Sequence, residues 1–200
     1  MIEQKNIDLE LIRLTLSGDE SAFGQIIDAY KARIFNLVYR MVNNYQESED
    51  ILQETFVKAY TRLSDFKVQN DFFPWLSTIA LNITRNKLKR KKILKFFSLD
   101  WSSETDEDED NRKWEFADTA LTPEQEAIKK EETEQAQELI YNLPVKYKEV
   151  FLLRNMEEMS YEDIAKITRL PVGTVKTKLH RAVKMLEKGY KNYSVKSETK

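Results

Sequence analysis

Residues 160–186 read SYEDIAKITRLPVGTVKTKLHRAVKML, and this stretch decides the fold of the C-terminal part of the chain. It predicts a short helix, a tight turn and a second helix. Ser160 is suited to cap the first helix, with Asp163 three residues later as a weaker form of the capping box. Pro171 suits the first turn of the second helix, where a missing N–H costs nothing. The stretch therefore predicts a helix-turn-helix.

The second helix of this motif has two different faces. Apolar residues recur at steps of three and four, which predicts one side packed on a core. They are Val172, Val175, Leu179, Ala182, Val183 and Leu186. The other side, with Lys176 at its edge, is called the basic face below. Its members are Gly173, Thr174, Lys176, Thr177, His180, Arg181 and Lys184. None is acidic, so this face can approach phosphates and base edges in a DNA major groove. The alternative is a solvated amphipathic helix in an ordinary bundle.

The composition favours an all-α protein. Of 200 residues 41% are hydrophobic, and four Gly and four Pro leave little turn chemistry for a β-rich fold. With no Cys and one His, we expect no disulfide, metal centre or other cofactor. No stretch approaches the roughly 18 apolar residues of a transmembrane helix, and the N-terminus lacks the pattern of a secretory signal. We therefore expect a cytoplasmic protein.

Charges of opposite sign are segregated along the chain, although the formal net charge is only −2. Residues 85–95 hold seven cations and no acid, whereas residues 104–110, ETDEDED, hold six acids. A basic surface beside an acidic segment permits nucleic-acid binding despite the acidic average.

The apolar spacing predicts four or so helices in an N-terminal unit. They are an opening helix that stops at Ser17-Gly18-Asp19, a long helix through about residue 41, a third over 46–63 and a fourth from 72 to about 92. In the third helix the residues predicted to point inward are Leu52, Phe56, Ala59, Tyr60 and Leu63. A polar loop, residues 64–71, precedes the fourth helix.

Periodicity fails between about residues 97 and 122, which predicts a flexible acidic linker between two small helical domains. The C-terminal unit is predicted to hold a helix through residue 140 and another over 145–155 before the helix-turn-helix. The predicted organisation is a first domain over 1–95, a linker over 96–122, a second domain over 123–190 and a tail over 191–200.

Three motifs resemble the extracytoplasmic-function (ECF) group of the sigma-70 family, which are bacterial RNA polymerase sigma factors. They are ESEDILQETFVKAYTRL at 47–63, FFPWLSTIALNITRNKLKRKK at 72–92 and LPVKYKEVFLLRNMEEMSYEDIAKITRLPVGTVKTKLHRAVKML at 143–186. The resemblance covers nearly the whole chain. It implies that the first domain is sigma domain 2 and the second is sigma domain 4.

The resemblance assigns the helix at 47–63 to docking on the β′ clamp helices of core RNA polymerase, and it implies a further contact with the β flap. Asp50, Gln53 and Glu54 are the implied docking residues. Their spacing of three and four places them on one polar helix face. An acidic face that is merely solvated is the alternative.

The resemblance also implies that residues 64–92 receive the non-template strand of the −10 element as the promoter opens. The loop from Asp65 to Asp71 would capture a flipped base. Asn82 would line its pocket, because an amide offers donors and an acceptor to a base edge. The other implied −10 residues are Arg85, Asn86, Lys87, Lys89, Arg90 and Lys91. The loop lacks the Arg-Gly that the family often carries, so a base preference does not transfer. Trp75 is predicted to be buried.

By the same resemblance the basic face would read the −35 element as a duplex. Arg181 and Lys176 would be its cations on bases or phosphates. The position of Lys176 on the flank of the apolar stripe favours a phosphate, and Thr174 and Thr177 would lie near the backbone. His180 could reach a base edge or stack on a sugar, and both readings stay open.

The remaining implied partner is an anti-sigma factor, typically membrane-anchored, that hides both DNA-reading domains. The acidic linker would either enter the RNA exit channel of polymerase or act as a solvated tether. No small-molecule substrate is expected.

A conventional helix-turn-helix regulator that binds duplex DNA is the alternative function. It leaves the acidic face of the third helix and the basic fourth helix without a role. An enzyme is not expected, because the chain has no Gly-rich phosphate loop or nucleophile motif.

Overall fold

A computed structural model describes residues 2–98, 133 and 135–197. These residues form helices and short connections, and no β-strand occurs among them. The all-α prediction is confirmed. The chain divides into two compact units, Met1–Asp110 and Asn111–Lys200.

Unit 1 contains four described α-helices. They are α1 (Ile2–Leu16), α2 (Glu20–Val42), α3 (Tyr45–Thr61) and α4 (Phe72–Ser98), with a 3-10 turn at Leu63–Asp65. Helix α2 packs against the other three, and α3 packs against α4. Helix α4 continues to Ser98, past the predicted domain end at residue 95. Most of the predicted linker lies outside the described residues.

Unit 2 contains the helix-turn-helix. Its described helices are α5 (residues 135–141), α6 (Val145–Asn155), α7 (Tyr161–Thr168) and α8 (Val172–Ser197). Helix α8 packs against α6 and α7. It runs to Ser197 and so includes much of the predicted tail.

Short polar side chains set the helix boundaries of unit 1. The Asp19 carboxylate accepts a hydrogen bond from the backbone N–H of Ser21 at 2.9 Å and so caps α2. Asn43 ends α2 in the left-handed conformation, at φ 53°. The side-chain oxygen of Asn44 accepts from the N–H of Glu47 at 2.7 Å and starts α3. Asparagine tolerates the left-handed backbone conformation and also caps helix N-termini. Two consecutive asparagines can therefore end α2 and begin α3.

The buried face of α3 is rotated from the predicted one. Phe56, Ala59 and Leu63 are buried as expected, but Tyr60 is 46% exposed and Leu52 only half-buried. The inward prediction is therefore wrong for Tyr60. The rest of the buried face consists of Ser48, Ile51 and Thr55. Apolar spacing overlooked Ser48 and Thr55. Their hydroxyls donate to the carbonyls of Asn44 and Ile51, both at 2.6 Å, which offsets the cost of burying them.

An aromatic cluster joins the 64–71 loop to α4. The rings of Phe66 and Phe72, both buried, have centroids 5.5 Å apart. Trp75 lies 5.5 Å from Phe66 and 5.4 Å from Phe72, and it is half-buried. Trp75 therefore belongs to this cluster, although it is not fully buried as predicted.

The helix-turn-helix forms as its capping residues predict. Ser160 Oγ accepts from the N–H of Asp163 at 3.0 Å and donates to its carboxylate at 2.7 Å, which confirms the predicted cap. Arg169 ends α7 at φ 56°, and α8 begins at Val172.

The apolar stripe of α8 faces the unit with one exception. Val175 and Ala182 are fully buried, and Val172, Leu179 and Leu186 are half-buried. The core prediction is wrong for Val183, which is 36% exposed. At about 100° per residue, Val183 lies roughly 80° from Val175, on the flank of the stripe.

Lys148 of α6 is expected to destabilise unit 2 at neutral pH. Its side chain is buried, with Nζ 4.4 Å from the Tyr141 ring centroid. Burial lowers the pKa of Lys148 to about 8, so the unfolded chain holds this proton more tightly than the folded chain does. Lys148→Met should raise the free energy of unfolding at pH 7 by about 2–3 kcal/mol.

The sign of the pH dependence follows from the same difference. Between pH 8 and the ordinary lysine value of 10.5, the unfolded state carries the extra proton, so the stability of the natural chain should rise with pH. Urea unfolding at pH 7, 9 and 10 measures the free energy of unfolding. Lys146→Met, at an exposed lysine of the same helix, is the matched control. Equal stability of Lys148→Met and the natural chain at pH 7 would contradict the expectation.

Candidate nucleic-acid interface

The predicted docking residues share a solvent-facing side of α3. Asp50 and Gln53 are exposed, and Glu54 is half-buried and pairs with Lys58 at 2.6 Å. Val57 is 64% exposed. It follows Asp50, Gln53 and Glu54 by seven, four and three residues, so it lies at the centre of their face. The sequence-based prediction did not include Val57. Its helical spacing from Asp50, Gln53 and Glu54 could have placed it on the same face.

The basic end of α4 is largely open to solvent. Lys89, Arg90, Lys91 and Lys92 are exposed, and Asn86 is exposed on the preceding turn. Arg85 is half-buried, and its Nε donates to the carbonyl of Leu81 at 3.1 Å. Part of the donor capacity of Arg85 is therefore used within its own helix.

Two ion pairs join α3 to α4. Lys87 Nζ lies 3.9 Å from the Asp50 carboxylate, and Lys91 Nζ lies 3.4 Å from that of Glu47. A predicted docking carboxylate thus meets a predicted DNA-binding cation. Within the described part of the chain, Lys89 and Arg90 make no ion pair, so they are the cations of this set most open to phosphates.

Asn82 and the 64–71 loop lie at different points along α4. The loop leads into the helix at Phe72, and Asn82 is half-buried ten residues later. At 1.5 Å per residue this is about 15 Å along the axis. The junction of the loop with α4 and Asn82 are therefore roughly three helical turns apart along this helix.

The basic face of α8 is exposed except for Thr174, which is half-buried. Thr177 Oγ1 donates to the carbonyl of Gly173 at 2.9 Å. Because its proton already points to Gly173, the Thr177 hydroxyl can accept a hydrogen bond from a base amino group. To donate a hydrogen bond to a phosphate, the hydroxyl would have to rotate away from Gly173.

Two tyrosines of unit 2 lie beside cations of α6 and α8. Lys176 Nζ lies 5.3 Å from the Tyr161 ring centroid, and the Arg154 guanidinium lies 4.8 Å from the same centroid. The Arg181 guanidinium beside Tyr147 lowers the pKa of the Tyr147 hydroxyl, so α6 brings this tyrosine close to the basic face. The sequence-based prediction missed both tyrosines, because only the fold brings them beside α8.

Comparisons with known proteins identify the family. Residues 26–93 match the family model Sigma-70 region 2, and residues 133–186 match Sigma-70, region 4. The chain is 37% identical to the ECF RNA polymerase sigma factor SigW of Bacillus subtilis, over 88% of this chain and 93% of SigW. The chain belongs to the ECF sigma factors. This membership confirms the resemblance of its three motifs and favours a sigma factor over a conventional helix-turn-helix regulator.

Other relatives of this ECF sigma factor agree. It is 32% identical to the RNA polymerase sigma-H factor of Pseudomonas aeruginosa, over 90% of this chain and 92% of that one. Its fold is similar to that of the sigma factor RpoE of Bartonella quintana, solved with the anti-sigma factor NepR. The TM-score is 0.66 at 20% identity, over 84% of this chain and 96% of RpoE. CnrH, solved with the cytosolic domain of CnrY, gives 0.62 at 21% identity, over 90% of this chain and 95% of CnrH.

The ECF sigma factor thus carries its predicted site residues in two separate units. Unit 1 holds the predicted docking residues on α3 and the predicted −10 residues on α4, and unit 2 holds the predicted −35 residues on α8. Among the described helices, none has the length and apolar character needed to cross a bilayer. The described residues also hold no cluster of three or more His, Asp or Glu side chains suited to a metal ion.

Proposed function

We propose that this ECF sigma factor binds core RNA polymerase through α3, reads the −35 element with α8, and receives the opened −10 strand along α4. It catalyses no reaction itself. The observation that carries the proposal is the arrangement of unit 1, where a polar docking face and a row of exposed cations occupy adjacent helices. A regulator that only binds duplex DNA does not require the polar docking face.

The docking face has the makeup of a small protein interface. Val57 offers an apolar centre, and Asp50, Gln53 and Glu54 surround it with acceptors and an amide. Carboxylates on such a face favour a cationic partner helix, since complementary charge sets register and speeds encounter. The β′ clamp helices are the proposed partner, with the β flap contacting unit 2.

The α4 surface suits a single strand. Lys89 and Arg90 are open to phosphates, and Asn82 supplies the amide for a base edge. Lys87 and Lys91 are paired with acids of α3. Each pair has one exposed partner, and ion pairs at the protein surface contribute only about 0–1 kcal/mol, so phosphates can exchange for the carboxylates.

The α8 surface suits duplex DNA. Arg181 and His180 are exposed on the basic face, and Lys176 is held at its edge by Tyr161. This arrangement matches a recognition helix, with base contacts from its exposed side and phosphate contacts from its flank. The −35 element is its proposed target.

The proposal extends to the cellular partners that ECF membership implies. Because core polymerase works in the bacterial cytoplasm, this sigma factor is proposed to act there. A membrane-anchored anti-sigma factor is proposed to hold it inactive at the inner face of the membrane. The acidic segment at 104–110 is proposed to connect sigma domains 2 and 4.

Association with polymerase tests the proposal. The purified chain is mixed with bacterial core RNA polymerase and separated by size-exclusion chromatography. Co-elution, followed by specific binding of the complex to promoter DNA, is the expected result. Specific binding to duplex DNA without any association with core would favour the conventional regulator instead.

Asn82→Ala should slow promoter opening more than it weakens duplex binding. Loss of one base-edge contact of about 1–2 kcal/mol corresponds to roughly a tenfold slower opening. The reactivity of unpaired thymines to permanganate measures opening, and a mobility shift at low temperature measures duplex binding. Asn36→Ala, a half-buried amide on α2, is the matched control for folding. Unchanged opening by Asn82→Ala would refute its role in the pocket.

A further inference from the structure

The loop that precedes α4 is fixed at its ends and exposed in its middle. Phe66 and Phe72 are buried, whereas residues 67–71 are all exposed. A single turn, closed by the N–H of Asn70 donating to the carbonyl of Lys67 at 2.9 Å, shapes the exposed part. By itself such a turn leaves a loop of this length free to adopt several conformations.

A side chain from α1 reaches this exposed part. Lys5 Nζ donates to the carbonyl of Gln69 at 3.1 Å and pairs with the Asp71 carboxylate at 2.9 Å. Lys5 and Gln69 are 64 residues apart in sequence. Within the described part of the chain, no other hydrogen bond or ion pair from outside the loop reaches residues 67–71.

Helix α1 is itself anchored beside the start of α4. The buried Asp8 carboxylate accepts from the Tyr30 hydroxyl at 2.5 Å and from Gln4 Nε2 at 3.0 Å. The Tyr30 ring lies 5.5 Å from Phe72 and 5.9 Å from Phe73. Lys5 therefore extends from a helix whose position is fixed against the same aromatic residues that hold the loop.

We infer that Lys5 is a positioning residue for promoter opening, holding residues 67–71 in the conformation that receives the −10 strand. The inference rests on the proposed function. The bond to Gln69 fixes the backbone of the loop. Asp71 is the one acidic residue within residues 67–71, and its negative charge would repel phosphates. The ion pair with Lys5 neutralises that charge. Residues 1–25 precede the region 2 match at 26–93, so α1 adds this contact from outside the matched segment.

Three variants of the full chain, each assembled with core polymerase, test the inference. Lys5→Met removes the ammonium but keeps an unbranched stem. Lys5→Arg keeps donors and charge. Lys31→Met is the matched control, since it removes a surface lysine of unit 1 whose ion pair, with Asp28 at 2.6 Å, lies within α2 and does not involve the loop.

Lys5→Met should slow opening about threefold to tenfold, in keeping with the modest strength of exposed charged contacts. It should also broaden base preference in a library randomised at −10. Core binding and the thermal unfolding midpoint should match the natural chain. Lys5→Arg should restore opening and preference, and Lys31→Met should leave both unchanged. Natural opening and natural −10 preference in Lys5→Met would overturn the inference.

Two further readouts separate positioning from direct DNA contact. A lysine on a phosphate adds about one to the slope of log affinity against log salt, so an unchanged slope in Lys5→Met is expected, and a reduced slope would overturn positioning. In a double-mutant cycle with Asp71→Asn, the two effects should be less than additive, and full additivity would likewise count against the inference.

The natural chain separates this inference from the proposed function. If it binds core and opens a promoter while Lys5→Met does so equally well, only the positioning role fails. If the natural chain neither binds core nor opens a promoter, the proposed function fails, and the role of Lys5 fails with it.

Discussion

The pair Gln53→Ala, Glu54→Ala is expected to weaken binding to core RNA polymerase by about tenfold to a hundredfold, while the chain stays folded. Truncating an interface residue of this kind costs about 1 kcal/mol, and every 1.4 kcal/mol is a factor of ten, so the two together correspond to roughly thirtyfold. Gln53 is exposed, and among the residues that the structure describes Glu54 pairs only with the exposed Lys58, so neither supports the core of unit 1. Titration of core polymerase with the fluorescently labelled chain measures the affinity.

A matched pair on α2 controls for the loss of surface polarity. Gln25→Ala, Asp28→Ala also removes one amide and one carboxylate from a single helix, both of them exposed, and Asp28, like Glu54, pairs with a lysine on its own helix. This control should bind core as the natural chain does. Equal core affinity for the Gln53→Ala, Glu54→Ala pair and for the control would remove the docking assignment of α3.

Arg181→Ala is expected to reduce initiation at promoters that depend on a −35 element by about tenfold to a hundredfold. A well-placed cation in the major groove contributes about 1–3 kcal/mol to discrimination. Arg181 is exposed, and its guanidinium lies beside Tyr147 of α6, where it lowers the pKa of the tyrosine hydroxyl. Run-off transcription at limiting holoenzyme measures the effect.

Two companion variants show how Arg181 acts. Tyr147→Phe keeps the ring and removes the hydroxyl, so it should produce a smaller loss in the same direction. Lys178→Ala removes a cation from the half-buried flank of α8 and should leave −35 dependence intact. If Lys178→Ala lost as much activity as Arg181→Ala, the effect would come from net charge and not from a specific contact.

Much of the helix-turn-helix could be predicted because its determinants are local. Ser160 and Asp163 are three residues apart, and they form the predicted cap. The apolar stripe of α8 followed from helical spacing alone, and Val183 differed only because it lies at the edge of the stripe. Local capping and local periodicity depend on a single helix, so they can be read without the fold.

Determinants shared between elements could not be predicted in the same way. The buried face of α3 includes Ser48 and Thr55, whose hydroxyls bond to their own helix, and apolar spacing does not count such residues. The pairs of Lys87 with Asp50 and of Lys91 with Glu47 require the packing of α3 on α4. The contact between Lys5 and the 64–71 loop joins residues that are 64 positions apart in the sequence.

The family resemblance assigned candidate roles to individual residues along the chain. It did not indicate which of those residues contact one another. It included Lys87 among the DNA-binding cations and Asp50 among the docking residues, without indicating that the two meet. It also did not include Val57, the apolar centre of the docking face. Both features became visible only when exposure and distance were known.

The decisive experiment is transcription by core polymerase reconstituted with this chain, from a library randomised at both promoter elements. If the chain is a sigma factor with the proposed sites, a two-part promoter at a fixed spacing should be enriched. Arg181→Ala should then relax selection at the upstream element and Asn82→Ala at the downstream one. Transcripts from templates without any shared two-part element, or no transcription beyond that of core alone, would contradict this expectation.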